Sequence, residues 1–152
     1  PGHVQWYCDF YSAVTGEFVE PGDLITMSER IYNFQKIFNL RMSGGRREQD
    51  AIPYRAIGPA TKEEYLYSSN YYDDILLKEF GIEDFKDLPL GFKMQIFRGR
   101  KLEAYERLKL KAYERRGWNE NGIPIIETLK RVGLDLDWIT RVIKQGKKGV
   151  RK

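Results

Sequence analysis

Asp23 to Gly45 reads "DLITMSERIYNFQKIFNLRMSGG". Leu24, Met27, Ile31, Phe34 and Phe38 recur at spacings of three and four, with Ile37 beside them, which is the period of one helix face. Pro21 suits a first helical turn, and Asp23 sits where the positive end of the helix favours a carboxylate. Gly44-Gly45 is a stop signal just past Met42. The spacing therefore predicts a long amphipathic helix to about Met42, with its apolar stripe toward a core and Phe34 in the middle of that core.

Upstream, His3 to Val14 reads as a short helix closed by Gly16. Trp6, Phe10 and Tyr7 lie on one broad face, and Cys8 is a small core residue. Downstream, "RREQDAIPYRAIGPA" (46–60) has neither helical nor strand period, and Pro53 and Pro59 stiffen it, so an ordered loop is predicted. Thr61 and Glu64 have capping-box spacing, and one helix is expected from there to Phe80, stopped by Gly81. A connector with one helical turn, "IEDFKDLPLGF" (82–92), precedes a charged helix from about Lys93 to Arg116 whose buried side is Leu102, Tyr105 and Leu108.

"YERRGWNENGIP" (113–124) then makes a corner. Gly117 ends one helix in the left-handed conformation, Asn121-Gly122 turns the chain, and Pro124 fits the first turn of the next helix. That short helix passes through Thr128 and Leu129 and ends at Gly133, with Leu134 placed for a capping contact. A last helix is expected from Leu136 to about Ile143. No segment shows sustained strand alternation. The predicted fold class is all-α: a multihelical single domain of five to six helices with one long ordered loop, occupying residues 1–143.

The formal charge of the 152 residues is +4, but the last nine, "KQGKKGVRK", carry five basic residues and no acid. Without them 21 basic and 22 acidic residues remain, a net of −1. Residues 144–152 are thus expected to be a basic flexible tail, and a nucleic-acid-binding face within the folded body is not expected. No apolar run approaches the ~20 residues of a membrane span. One cysteine excludes an intrachain disulfide, and with no secretory signal the expected compartment is the cytoplasm. The chain opens on "PGHVQWYC" and is expected to be part of a larger protein.

Chemistry-bearing patterns are few. One histidine (His3) and one cysteine (Cys8) do not supply a metal site or a nucleophile–base pair, so no catalytic, cofactor-binding or metal-ligating residue is assigned. "GGRRE" at Gly44 lacks the Lys-Ser/Thr of a phosphate loop and follows a helix. The suggestive stretch is Arg46 to Arg55, which places Arg46, Arg47, Asp50 and Arg55 on a proline-stiffened loop. A charge withdrawn from water needs a partner, and Asp50 with one of these arginines can form a bidentate pair. That pair either does no more than fix the loop, or it shapes a ligand channel or interface in a larger enzyme.

Three stretches together resemble one family: "SERIYNFQKIFNLRMSGGRREQDAIPYR" from Ser28, "YERRGWNENGIP" from Tyr113, and "ETLKRVGL" from Glu127. They are similar to the C-terminal region of the tungsten-containing aldehyde ferredoxin oxidoreductases. That family has a Gly-Glu-Arg-Ile-x-Asn helix, an Arg-x-Asp-Asp-x-Leu-Pro-x-Arg loop and an Arg-Gly-Trp-Asp-x-x-Gly-x-Pro corner. The resemblance covers about Phe10 to Leu134. The form of the loop is closer to the branch that includes the catalytic subunit of benzoyl-CoA reductases.

The resemblance implies, for the full-length enzyme, a tungsten or molybdenum bis-pterin and an iron–sulfur cluster. It also implies oxidation of aldehydes or work on an aromatic thioester, and exchange of electrons with ferredoxin or electron-transfer subunits. The partners it implies for this chain are the N-terminal cofactor domains of the same polypeptide. It places no cofactor on this chain, whose isolated form is expected to be inactive. The family's cluster cysteine lies in Asp-x-x-Gly-Leu-Cys, a context Cys8 lacks, so that ligand is expected upstream. Gln49, Ile52, Ser28 and Ile125 depart from the family pattern. The resemblance implies that Trp118 anchors the last corner by packing. The competing readings are a stand-alone helical adaptor or nucleic-acid-associated protein, which would need a basic face in the folded body, and an independent small enzyme, which would need a general base or nucleophile.

Overall fold

Glu20 initiates the longest helix of the first unit: its backbone N–H donates to the Asp23 carboxylate at 3.0 Å, and Pro21 occupies the first turn, where its missing N–H costs nothing. This is helix α2, Pro21–Ser43, and Gly44 closes it at φ 86°. In the computed structural model, residues 2–45 and 47–148 are described. They contain seven α-helices and three short 3-10 turns, with a single isolated β-bridge between Trp118 and Pro124. The fold is all-α.

The chain divides into two compact units, Pro1–Asp50 with Tyr113–Lys152, and Ala51–Ala112. The first unit holds α1 (Gly2–Thr15), α2, a 3-10 turn at Arg47–Asp50, α6 (Ile126–Arg131) and α7 (Asp137–Lys148). Its core gathers Ile37 and Leu40 from α2, Ile123 from the corner, Leu129, Val132 and Leu134 from α6 and its cap, and Ile139 and Ile143 from α7. Ile139 and Ile143 are one turn apart on the same face. Burying each such aliphatic side chain contributes about 1.5–3 kcal/mol. Cys8 is the buried residue of α1.

The buried face of α2 is not the predicted one. Ile31, Phe34 and Phe38 are 60%, 44% and 53% exposed, whereas Ile37, at the edge of the predicted stripe, is buried as expected, together with Asn33, Lys36 and Leu40. The buried set has helical spacing too, displaced by one residue, or about 100° around the axis. The displacement has a cause: Asn33 and Lys36 find polar partners inside, which offsets the cost of withdrawing them from water. The aromatic residues of α1 behave like those of α2, with Trp6, Tyr7 and Phe10 each more than 60% exposed.

The second unit holds a 3-10 turn at Tyr54–Ile57, α3 (Lys62–Tyr67), α4 (Ser69–Lys78), a turn at Glu83–Phe85, and α5 (Leu90–Arg115) as far as Ala112. Its core is aromatic: Tyr65, Phe85 and Phe97 pack with Ile75 and Leu76, and Tyr72 meets Phe97 edge-on at 5.2 Å. Thr61 caps α3 by accepting from the Glu64 N–H, while the Glu64 carboxylate accepts from Ala60 N–H at 2.8 Å.

The single helix expected from Thr61 to Phe80 is broken. Ser68 leaves the helical region (φ −122°, ψ 35°), and its N–H bonds back to Tyr65 and Leu66. Ser68-Ser69-Asn70 is a run of residues whose side chains compete for the backbone, so the break falls where helix propensity is lowest. Leu102 and Leu108, expected inside, are 43% and 65% exposed, and α5 instead buries Phe97 and the stem of Lys109. Helix α7 continues past Ile143 to Lys148, into the basic stretch. Residues 149–152 lie outside the described residues.

Candidate functional site

The corner after α5 is built by backbone bonds. Trp118 N–H donates to Tyr113 O at 2.8 Å and Gly117 N–H to Glu114 O, the paired bonds that satisfy a helix C-terminus. Gly117 adopts φ 65°, and a Cβ there would run into the Thr128 hydroxyl, which itself donates to Gly117 O at 3.0 Å. The Asn119 side chain accepts from the N–H groups of Asn121 and Ile123. Pro124 pairs across the turn with Trp118 and precedes α6, which starts at Ile126, so Pro124 closes the corner instead of opening the helix.

This geometry drives the Trp118 indole into the first unit. Its N–H donates to the Asn33 side chain at 2.8 Å, with both residues buried. Tyr32 stacks on the indole with centroids 6.0 Å apart, and the Lys36 ammonium lies 5.2 Å from the ring centre. The same ammonium donates to Asp50 Oδ2 at 2.7 Å, and the Tyr113 hydroxyl donates to that oxygen at 2.6 Å. Arg47 reaches the Glu120 carbonyl at 3.0 Å. Gly122 makes room, since a Cβ there would meet the Tyr113 ring at 2.9 Å.

Thus α2, the start of the loop and the corner meet in one polar junction. Of the residues singled out in the sequence, Arg47 and Asp50 belong to it. Arg46 lies outside the described residues. Asn33, Lys36 and Tyr113 had not been singled out. Asn33 and Lys36 do not stand out in a helix that also carries Glu29, Arg30, Gln35, Asn39 and Arg41, and no local pattern marked Tyr113. Chemically the junction is a clasp: a carboxylate holds an ammonium and a phenol while an indole N–H is satisfied by an amide.

Arg55 belongs to the other unit, where it donates to Glu64 at 2.8 Å. The Ala60 N–H first, and Arg55 second, hold the Glu64 carboxyl below its usual value. Arg98, also missed in the sequence, donates to the carbonyls of Tyr54, Gly58 and Pro59 at 2.8–3.1 Å, and its guanidinium lies 3.5 Å over the Tyr54 ring. Arg55, Tyr71 and Lys101 line a hollow of about 380 Å3 beside this loop. Nearby, burial and then the bond to Asp73 raise the Tyr65 phenol above its ordinary range.

Fold and junction define an all-helical region organised around a buried polar clasp. Among the described residues no cluster of His, Cys, Asp and Glu is placed to hold a metal ion, and no helix is long and apolar enough to cross a membrane. Residues 1–134 match the family described as aldehyde ferredoxin oxidoreductase, domains 2 & 3, and the chain belongs to that family. No curated protein and no solved structure matches it significantly.

The family is one of oxidoreductases, and it implies a tungsten or molybdenum pterin and an iron–sulfur cluster in the full enzyme. The donors of this chain do not fit the cluster. A cubane takes about four thiolates, and the one cysteine, Cys8, is buried in α1.

Proposed function

We propose that this chain is the C-terminal helical part of a tungsten- or molybdenum-dependent aldehyde oxidoreductase, where it covers the cofactor-bearing domain and contributes a wall of the substrate channel. The observation that carries this reading is the family match over residues 1–134, with three motif residues, Asn33, Asp50 and Trp118, joined in the clasp by Lys36 and Tyr113. In the reaction an aldehyde takes up a water oxygen, becomes a carboxylate and releases two electrons to a ferredoxin-type acceptor. On this reading the chain's contribution to that step is to position the substrate.

Each unit fixes its own part of the 46–55 loop. In the first unit Asp50 is held by Lys36 and Tyr113, and in the second the carbonyls of Tyr54, Gly58 and Pro59 are held by Arg98. Fixed walls orient a substrate without spending its binding energy on ordering a loop.

Asp50→Asn tests the reading in the full-length enzyme. The substitution keeps the shape and removes the charge that holds Lys36. The expected result is a fall in kcat/KM for an aldehyde on the order of tenfold, equivalent to about 1.4 kcal/mol. Metal and iron content should stay unchanged. Unaltered kinetics would remove the loop from the channel, and lost metal would place it on the cofactor instead.

A further inference from the structure

Helices α1 and α2 leave an open apolar groove of about 380 Å3 lined by Val4, Tyr7, Leu24, Ile25 and Tyr32, with Arg116 at its edge. Arg116 is half-buried, its guanidinium carbon 3.6 Å from the centre of the Tyr32 ring and 5.7 Å from that of Trp118. The Trp118 corner therefore fixes where this cation stands. Among the described residues no carboxylate pairs with it. Glu29, the acid of the groove, is already ion-paired with Arg131 at 2.5 Å.

We propose that this groove seats a segment of the family's first domain, one that lays an apolar side chain against Tyr7 and Ile25 and sets an Asp or Glu carboxylate on Arg116. The proposal rests on the reading of the chain as part of that oxidoreductase. Its partner follows from three observations. The matched region is domains 2 and 3, so the family has a further domain. Phe10 and Ile31, each one turn on from a groove residue (Tyr7 and Ser28), are exposed as well. A stacked, half-desolvated guanidinium with no counter-charge is a site for planar, bidentate carboxylate recognition. A second copy fits less well, because two-fold pairing of this groove brings two uncompensated guanidinium groups into one interface.

The test uses the full polypeptide as the cell makes it. The photoreactive amino acid p-benzoylphenylalanine replaces Tyr7, which is 67% exposed on the groove wall. After irradiation the cross-linked peptide is sequenced. The expected adduct is a first-domain peptide with an Asp or Glu within a few residues of an apolar attachment point. Arg116→Met should lower its yield about tenfold. Ile25→Glu, at a 53% exposed position, should lower it similarly by supplying a carboxylate in place of the partner's, and it leaves the Arg116 stack intact should Arg116→Met not fold. An adduct with a second copy of this chain, an adduct without a neighbouring acid, or a yield unaffected by Ile25→Glu overturns the proposal. The cross-link is read without turnover. An enzyme inactive on aldehydes that gives the expected adduct leaves the docking intact and sinks only the activity, while an active enzyme with the wrong adduct does the reverse.

Discussion

The indole N–H of Trp118 reaches across 85 residues of sequence to donate to the Asn33 side chain at 2.8 Å, in a place where neither can turn to water. Asn33→Leu leaves that N–H buried and unmatched, at a cost of about 1–3 kcal/mol. Trp118→Phe strands the amide oxygen instead. In urea melts the double variant should be less destabilised than the sum of the two singles, because both lose the same bond. Simple additivity would show that the two groups do not depend on each other.

The rotated face of α2 separates two neighbouring residues. Ile37 is fully buried and Phe34 is 44% exposed, touching Trp138 edge-on at 6.2 Å. Ile37→Ala should cost about 2–5 kcal/mol, whereas Phe34→Ala should stay below the ~3–5 kcal/mol usual for a buried Phe. Equal losses in denaturant titrations of the two variants would return Phe34 to the core.

Gly117→Ala combines two penalties, a left-handed backbone and a collision with Thr128. The backbone part alone is about 1–2 kcal/mol. In a Thr128→Ala background the collision is relieved, so the penalty should fall toward that backbone part. A penalty unchanged by Thr128→Ala, measured by thermal melts of the four forms, would mean the hydroxyl already moves aside.

Tyr65 gives a pH signature. Its phenol is raised above the ordinary value of 10.0 by burial and by Asp73. With the folded value above the unfolded one, the folded chain holds the proton longer, so stability is full below about pH 10 and declines as pH rises beyond it. Tyr65→Phe should flatten that alkaline decline. In an absorbance titration of the phenols, Tyr65 should ionise last, together with unfolding; early ionisation in a folded protein would contradict the burial.

Helix existence was legible in the sequence because period, caps and stops agreed along it: Asp23, Gly44, Thr61 and Gly133 all act as punctuation in the structure. Which face goes inside was not legible for α2. Hydrophobicity ranks Phe34 and Phe38 above Asn33 and Lys36, and only the distant Trp118 and Asp50 reverse that order. The break at Ser68 was missed because apolar spacing runs through it on both sides. At the site, Asp50 was legible as a charge needing a partner. Lys36 and Tyr113 were not, since they lie 14 and 63 residues away from it and no local pattern joins them.

Arg98 sets a sequence of events. The carbonyls it grips belong to Tyr54, Gly58 and Pro59, 39 to 44 residues earlier in the chain. During synthesis those carbonyls leave the ribosome first and must wait for their donor. At about 5–20 residues per second the interval is about 2–9 s. Thr61 can cap α3 within that time, because its partners are four residues away or fewer. The turn before it cannot settle until the first half of α5 has emerged. The segment that ends as one of the most firmly held loops of the chain is therefore, for its first seconds, open to chaperones and proteases.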